Sequence, residues 1–111
     1  MRYQVFGLIL VGSLGPIPAF AHHNAASHYQ VDKSVVVEGV VTEFKLINPH
    51  TIIYLQVKDA SGSPVAWRAE GDPAAVLRRR GWTGHEMKQG DAIKVIGHPS
   101  RDGSHAIEWK S

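Results

Sequence analysis

The order of extended and helical segments is the feature that most constrains the fold of this chain. Residues 34–47 are rich in valine and other β-branched residues, which predicts one long first strand. Gly39 lies in the middle of this segment, where glycine usually marks a bulge or a bend. Four later segments alternate apolar with polar residues, a pattern typical of strands. These predicted strands cover residues 51–58, 65–70, 92–98 and 105–110.

One helical segment interrupts the series between the third and fourth strands. Asp72 and Pro73 suit the N-cap and the first helical position, and Gly81 is a usual helix end. Thr83 and Glu86 have the spacing of a capping box, which predicts a second helical turn. Three strands, a helix and two strands follow the element order of the OB-fold. The sequence therefore predicts a mainly β protein: a small five-stranded OB-like β-barrel with a short helix between strands 3 and 4.

The first 21 residues have the pattern of a secretory signal peptide. Arg2 precedes a short apolar run, and Ala19 and Ala21 form an Ala-x-Ala cleavage signal. The run is shorter than the roughly 20 residues needed to span a bilayer. We therefore expect cleavage after Ala21 and no membrane span in the mature protein. The predicted layout is residues 1–21 signal peptide, 22–33 N-terminal arm and 34–111 barrel domain, with His28 and Tyr29 anchoring the arm.

Charge and composition argue against a nucleic-acid partner. The formal charge of the full chain is +2 with neutral histidines, and removal of Arg2 lowers it to +1. The only basic run, residues 78–80, suits a solvated helix end, whereas nucleic-acid binders usually carry a strong basic patch. The chain contains no cysteine, which argues against a Cu(I) carrier and excludes disulfides. Histidine is the one residue type in excess, with seven copies.

Four short motifs together resemble a known family. They are His22-His23 after the signal peptide, Asn48-Pro49-His50 after the valine-rich strand, Arg79-Arg80-Gly81-Trp82, and Gln89-Gly90-Asp91. In this combination the chain resembles a group of small exported proteins of Gram-negative bacteria that form a domain family of unknown function. The resemblance covers most of residues 19–104, and it implies a periplasmic location and an OB-like barrel but no activity.

Two departures from that family stand at the ends of the resemblance. Members usually have serine and an aromatic residue after the histidine pair, where this chain has Asn24 and Ala25. Their last strand is often followed by an extension, whereas this sequence ends at Ser111. Barrel closure and a late functional loop are the features in which a difference from the family is expected.

The histidines predict a metal site at the mature N-terminus. Cleavage after Ala21 gives His22 a free α-amine beside its imidazole, and these two nitrogens form a chelate that suits Cu(II) in tetragonal geometry. His23 adds an imidazole and an amide, and His50 is the best remote ligand because its turn joins strands one and two. In OB-folds that turn and the loop between strands four and five flank the binding face. His98 and His105 border the second loop, are expected to be cross-strand neighbours, and are secondary candidates.

Other functions stay open at this point. A metal-free OB-like interaction domain could bind a peptide, a glycan or a partner protein on the same face. A copper-dependent redox enzyme is a third class, but the sequence has no Gly-x-Ser-x-Gly elbow and no phosphate-cradling glycine loop. Trp67, Trp82 and Trp109 could stack on a sugar, although packing in the core is the simpler interpretation. The leading hypothesis is a periplasmic binding module that takes copper and is not an enzyme.

Overall fold

Five strands form one closed barrel in the computed structural model, which describes residues 25–110. Each strand pairs with its neighbours in the order β1-β2-β3-β5-β4, and β4 pairs with β1 to close the barrel. Only β3 and β5 run parallel; the other pairs are antiparallel. The elements are α1 (Ala25–His28), β1 (Val35–Lys45), β2 (Ile52–Lys58), β3 (Pro64–Glu70), α2 (Ala74–Arg79), β4 (Ala92–Pro99) and β5 (Ala106–Trp109).

This architecture confirms the predicted OB-like barrel and the helix between strands 3 and 4. Strand bounds differ from the predicted ones by one or two residues. The signal peptide and the histidine pair fall in residues 1–24, outside the described residues. No helix within residues 25–110 is long and apolar enough to cross a membrane.

Strand β1 serves both sides of the barrel because it is long and bent. Its first half pairs with β4 and its second half with β2, and Val40 takes part in both pairings. The bulge lies between Val41 and Glu43, where Thr42 is an extra residue, so Gly39 does not mark it. Gly39 is instead a point of close approach: a Cβ there would lie 2.4 Å from the carbonyl oxygen of Gln56. Glycine at this position lets β2 lie against the bend.

The core consists of the inward-facing residues of all five strands. Their alternation with exposed residues along each strand gives the period of two that the sequence shows. The buried cluster is Val37, Val41, Ile53, Leu55, Ala69, Val95 and Ile107. Thr51, directly before β2, is fully buried at 0% exposure, and its hydroxyl has no hydrogen-bond partner among residues 25–110.

The start of α2 is held by the turn after β1 and not by its own predicted cap. The side chain of Asn48 accepts a hydrogen bond from the backbone N–H of Ala75 at 3.1 Å, and Ile47 accepts one from Ala74 at 3.0 Å. Pro73 occupies the N-cap position without a side-chain bond. The predicted N-cap, Asp72, instead pairs with Arg80 at 2.8 Å. A tertiary contact therefore supplies the orphan N–H groups with their acceptors.

The predicted second helical turn is wrong: the segment at Thr83 and Glu86 is an irregular loop. The Glu86 carboxylate accepts hydrogen bonds from the backbone N–H groups of Thr83 at 2.5 Å and Gly84 at 2.8 Å. Gly84 has a φ of +97°, in the left-handed region, so the backbone cannot continue as a right-handed helix. The side-chain half of the capping box forms here without the helix that it normally starts.

Candidate functional site

A polar pocket lies where the N-terminal arm crosses the barrel. Four parts of the chain build it: α1 and the residue after it, the turn between β1 and β2, the paired strands β3 and β5, and the loop between β4 and β5. Its volume is about 420 Å³. The residues that line this polar pocket are Ser27, His28, Tyr29, His50, Arg68, Glu70, Gly71, Ser100, Arg101, Asp102, Ser104, Ala106 and Glu108.

Tyr29 anchors the arm to the barrel, as its position in the sequence predicted. Its side chain is only 5% exposed, and its hydroxyl donates a hydrogen bond to Glu70 Oε2 at 2.5 Å. Its backbone forms an isolated β-bridge with Ser100. Arg101 closes the other side, since its backbone N–H donates to the carbonyl of His28 at 2.9 Å and its Nε donates to that of Ala26 at 2.6 Å. These bonds fix the arm against the loop between β4 and β5.

The Tyr29–Glu70 contact sets the charge at the floor of the pocket. Burial, and then the hydrogen bond to the Glu70 carboxylate, raise the pKa of Tyr29 well above its ordinary value of 10.0. The phenol is therefore neutral and able to donate throughout the physiological range. Arg68 lies on the other side of the same carboxylate, with its Nη2 3.6 Å from Glu70 Oε1. Glu70 thus contacts Tyr29 of the arm through one carboxylate oxygen and Arg68 of its own strand through the other.

The loop between β4 and β5 is pre-ordered by one carboxylate. Asp102 Oδ1 accepts hydrogen bonds from the Ser100 hydroxyl at 2.5 Å and from the backbone N–H of Ser104 at 2.9 Å. The Ser100 bond, followed by those of Ser104, holds the pKa of Asp102 well below its usual range. This side of the pocket consequently keeps its negative charge at any physiological pH.

His50 is the predicted ligand that the structure brings to the polar pocket. It is half-buried in the turn between β1 and β2, and it lines the pocket together with His28 from the end of α1. Nothing in the arm's pattern predicted that His28 would share a cavity with His50. His22 and His23 lie outside the described residues.

His98 and His105 are engaged elsewhere, and neither lines the polar pocket. The Nδ1 atom of His98 lies 2.7 Å from the carbonyl oxygen of Lys33, so it must carry the proton that this bond requires. His105 stacks on Trp67 with ring centroids 5.1 Å apart. They are not cross-strand neighbours, because β5 begins one residue after His105 and His98 pairs with Glu108. The expected register of this hairpin was wrong.

The described part of the chain contains no ready-made metal site. Within residues 25–110, no three histidine, aspartate or glutamate side chains meet closely enough to hold a metal ion. His50, His98 and His105 therefore do not converge as a set.

Sequence reasoning missed the charged residues on the β3–β5 side of the pocket. Arg68 and Glu70 are two residues apart on β3, so the alternation of the strand already indicated that they lie on the same face. Glu108 pairs across from His98 and adds a second carboxylate to the lining. Their partners come from the arm and from the β4–β5 loop, and no local pattern connects segments so far apart.

The fold and this site define a small OB-like barrel that carries an N-terminal arm across its surface. A family model described as "Family of unknown function (DUF6152)" matches residues 11–107, and the chain belongs to that family. The match confirms the resemblance to a domain family of unknown function. A search of curated proteins found no match to the chain.

Proposed function

We propose that this chain is an exported periplasmic binding module, and that the polar pocket binds Cu(II) through His22, His23 and His50. The module has no catalytic role of its own in this proposal. The turn between β1 and β2 and the loop between β4 and β5 both line the polar pocket. In OB-folds these two segments flank the binding face.

The observation that carries the proposal is that His50 and α1 of the arm line the same pocket. Ser27 and His28 of α1 line it together with His50. Ala25, the first residue of α1, is three residues beyond His22. Because a residue spans at most about 3.6 Å, His22 is tethered within about 11 Å of Ala25. Anchoring by Tyr29 therefore limits how far the mature N-terminus can lie from α1, which lines the pocket together with His50.

The chemistry of these donors favours copper. An α-amine with a pKa of roughly 7.7–8.0 and an imidazole on one residue offer two nitrogens in a single chelate ring. A third nitrogen from His50 gives three donors around the ion, and His23 supplies a fourth. Imidazole and amine nitrogens suit Cu(II) in tetragonal geometry. The carboxylates of Glu70 and Glu108 add negative potential beside such an ion.

The test uses protein exported through its own signal segment, so that the cell generates the N-terminus. Intact mass must show that the mature chain begins at His22. Calorimetric titration with Cu(II) is then expected to give one tight equivalent that weakens by at least about tenfold, or 1.4 kcal/mol, in His22→Ala and in His50→Ala. His85→Ala is the matched control, because His85 is exposed and does not line the polar pocket.

Three results would count against this proposal. Cleavage at another residue would eliminate the chelate formed by the His22 α-amine and imidazole. Weak, non-stoichiometric Cu(II) binding that is the same in both variants would rule out a specific copper site. Consumption of oxygen or peroxide by the copper-loaded protein with a reductant would instead indicate a copper-dependent redox enzyme.

One observation favours a metal-free alternative, an interaction domain that binds a peptide. Arg68 and Arg101 line the same pocket as Glu70 and Glu108, so both charge signs are available to a short zwitterionic peptide. If this is the function, a peptide pool without metal perturbs the NMR signals of Arg68 and Ser104. Arg68→Gln then weakens peptide binding, and His22→Ala leaves it unchanged.

A further inference from the structure

A second cavity, the Trp pocket, lies between the barrel and the segment that follows α2. Its volume is about 290 Å³, and it shares no lining residue with the polar pocket. Three buried side chains, Ile53, Leu77 and Val95, form its apolar floor. Trp82, Met87 and Trp109 complete the wall.

The aromatic walls of the Trp pocket are fixed in place. The rings of Trp82 and Trp109 are stacked, with centroids 6.3 Å apart and planes 15° from parallel. The ring of Phe44 packs against that of Trp82, with ring centroids 6.1 Å apart. Trp109 fits closely over Gly71, where an added Cβ would lie 2.1 Å from the indole ring. A flat apolar surface is therefore present before any ligand arrives, which lowers the entropy lost on binding.

The charges at the Trp pocket are predominantly positive. Arg80, Lys94 and Lys110 line it, and Asp72 is the only carboxylate among the described lining residues. Asp72 is already paired with Arg80. Lys94 has a solvent-exposed partner, Glu38, at 3.4 Å. Lys110 makes no ion pair with any residue in 25–110. An ammonium group beside an apolar cavity is complementary to an anion that carries an apolar body.

We propose that the Trp pocket binds a small aromatic carboxylate. Its ring lies against the indoles of Trp82 and Trp109, where offset stacking is favoured. Its carboxylate pairs with the Lys110 ammonium. The cavity is at the lower end of the roughly 300–1,000 Å³ range of ligand sites, which fits a ligand of one or two rings. This inference is independent of the copper proposal, because the two pockets have no residue in common.

The test is an NMR titration of the mature protein with naphthoate as the probe. The three indole N–H signals are assigned with single Trp→Phe variants. Saturable shifts are expected at Trp82 and Trp109 and not at Trp67, which stacks on His105 outside the Trp pocket. Lys110→Gln is expected to weaken binding by about two- to fivefold, the range of a partly exposed ion pair. Lys58→Gln, an exposed lysine on β2, is the matched control and leaves binding unchanged.

A second probe separates the charge from the ring. Naphthylmethylammonium has the same rings and the opposite charge, so it is expected to bind more weakly than naphthoate and to lose no affinity in Lys110→Gln. Equal shifts at all three indoles, or no saturation, would overturn the site. Equal affinity for the two probes, or an unchanged affinity in Lys110→Gln, would overturn the assignment of an anionic ligand.

Discussion

The polar pocket and the Trp pocket are two sites built by different means on one small barrel. Two consecutive residues of β5 show the contrast: Glu108 lines the polar pocket and Trp109 lines the Trp pocket, since successive side chains of a strand point to opposite faces. The polar pocket is held together by hydrogen bonds such as Tyr29 to Glu70. The Trp pocket is held by core packing and stacked rings.

Because they are built differently, the two pockets should respond to different perturbations. Its hydrogen bonds to titratable groups make the polar pocket sensitive to single-atom changes in the arm and, through Tyr29, to pH above about 10. The apolar floor and the indole walls respond instead to changes in volume. Variants that affect one pocket and spare the other therefore test the account.

Gly97→Ala is expected to disrupt both pockets, because β5 supplies lining residues to each of them. A Cβ at residue 97 would lie 1.9 Å from the carbonyl oxygen of Glu108 and 2.8 Å from Trp109 Cα, so β4 and β5 must separate. We expect a loss of about 3 kcal/mol in the free energy of unfolding, measured by urea denaturation. Gly62→Ala is the control: the position is open, and only its φ of +84° makes alanine unfavourable, by about 1 kcal/mol. Equal losses in the two variants would contradict the packing described for β5.

Tyr29→Phe is expected to loosen the polar pocket and leave the Trp pocket intact. Loss of the hydrogen bond to Glu70 should lower stability by about 1.5 kcal/mol and increase hydrogen exchange in the arm, while naphthoate binding stays the same. The raised pKa of Tyr29 adds a pH signature. A group with a raised folded pKa stabilises fully below its unfolded pKa, so this contribution persists to about pH 10 and falls at higher pH.

An absorbance titration of phenolate formation checks that signature. The late-ionising tyrosine should disappear in Tyr29→Phe and persist in Tyr54→Phe. If the two variants titrate alike, the Tyr29–Glu70 bond does not govern the arm.

Asn48→Ala is expected to weaken α2, the helix that borders the Trp pocket. The Asn48 side chain is the acceptor for the N–H of Ala75, and losing such a cap typically lowers stability by about 1 kcal/mol. Asp72→Ala removes only the exposed pair with Arg80 and should change stability by at most about 0.5 kcal/mol. Thermal unfolding of the two variants gives the ranking. A larger loss for Asp72→Ala would mean that the helix is capped from its own sequence.

Thr51→Val is the smallest expected effect and has the opposite sign. The buried hydroxyl of Thr51 has no partner among the described residues, so replacing it with a methyl group of the same shape should stabilise the protein by about 0.5–1 kcal/mol. Thr42→Val, in the exposed bulge of β1, is the control and should change stability by less than about 0.5 kcal/mol. A destabilised Thr51→Val would show that the hydroxyl has a partner in solution.

The sequence predicted the barrel because its signals are local. Alternation in β2 and β3 and the glycine and proline turns required no knowledge of distant contacts. Asn48 as the cap of α2 and Glu70 as the partner of Tyr29 are contacts across 27 and 41 residues, and no periodicity encodes them. The capping-box spacing at Thr83 misled because Gly84 takes a left-handed φ. The sequence correctly placed His50 in the turn between β1 and β2, but only the folded arm showed that His28 lies at the same cavity.

Pulsed electron paramagnetic resonance of the copper-loaded mature protein tests the central claim most directly, because it detects imidazole nitrogens bound to Cu(II). The account predicts an axial, nitrogen-rich signal with more than one coordinated imidazole. One imidazole should be lost in His50→Ala and none in His98→Ala, because His98 does not line the polar pocket. A spectrum that is identical in the wild type and in His50→Ala would contradict copper binding in the polar pocket.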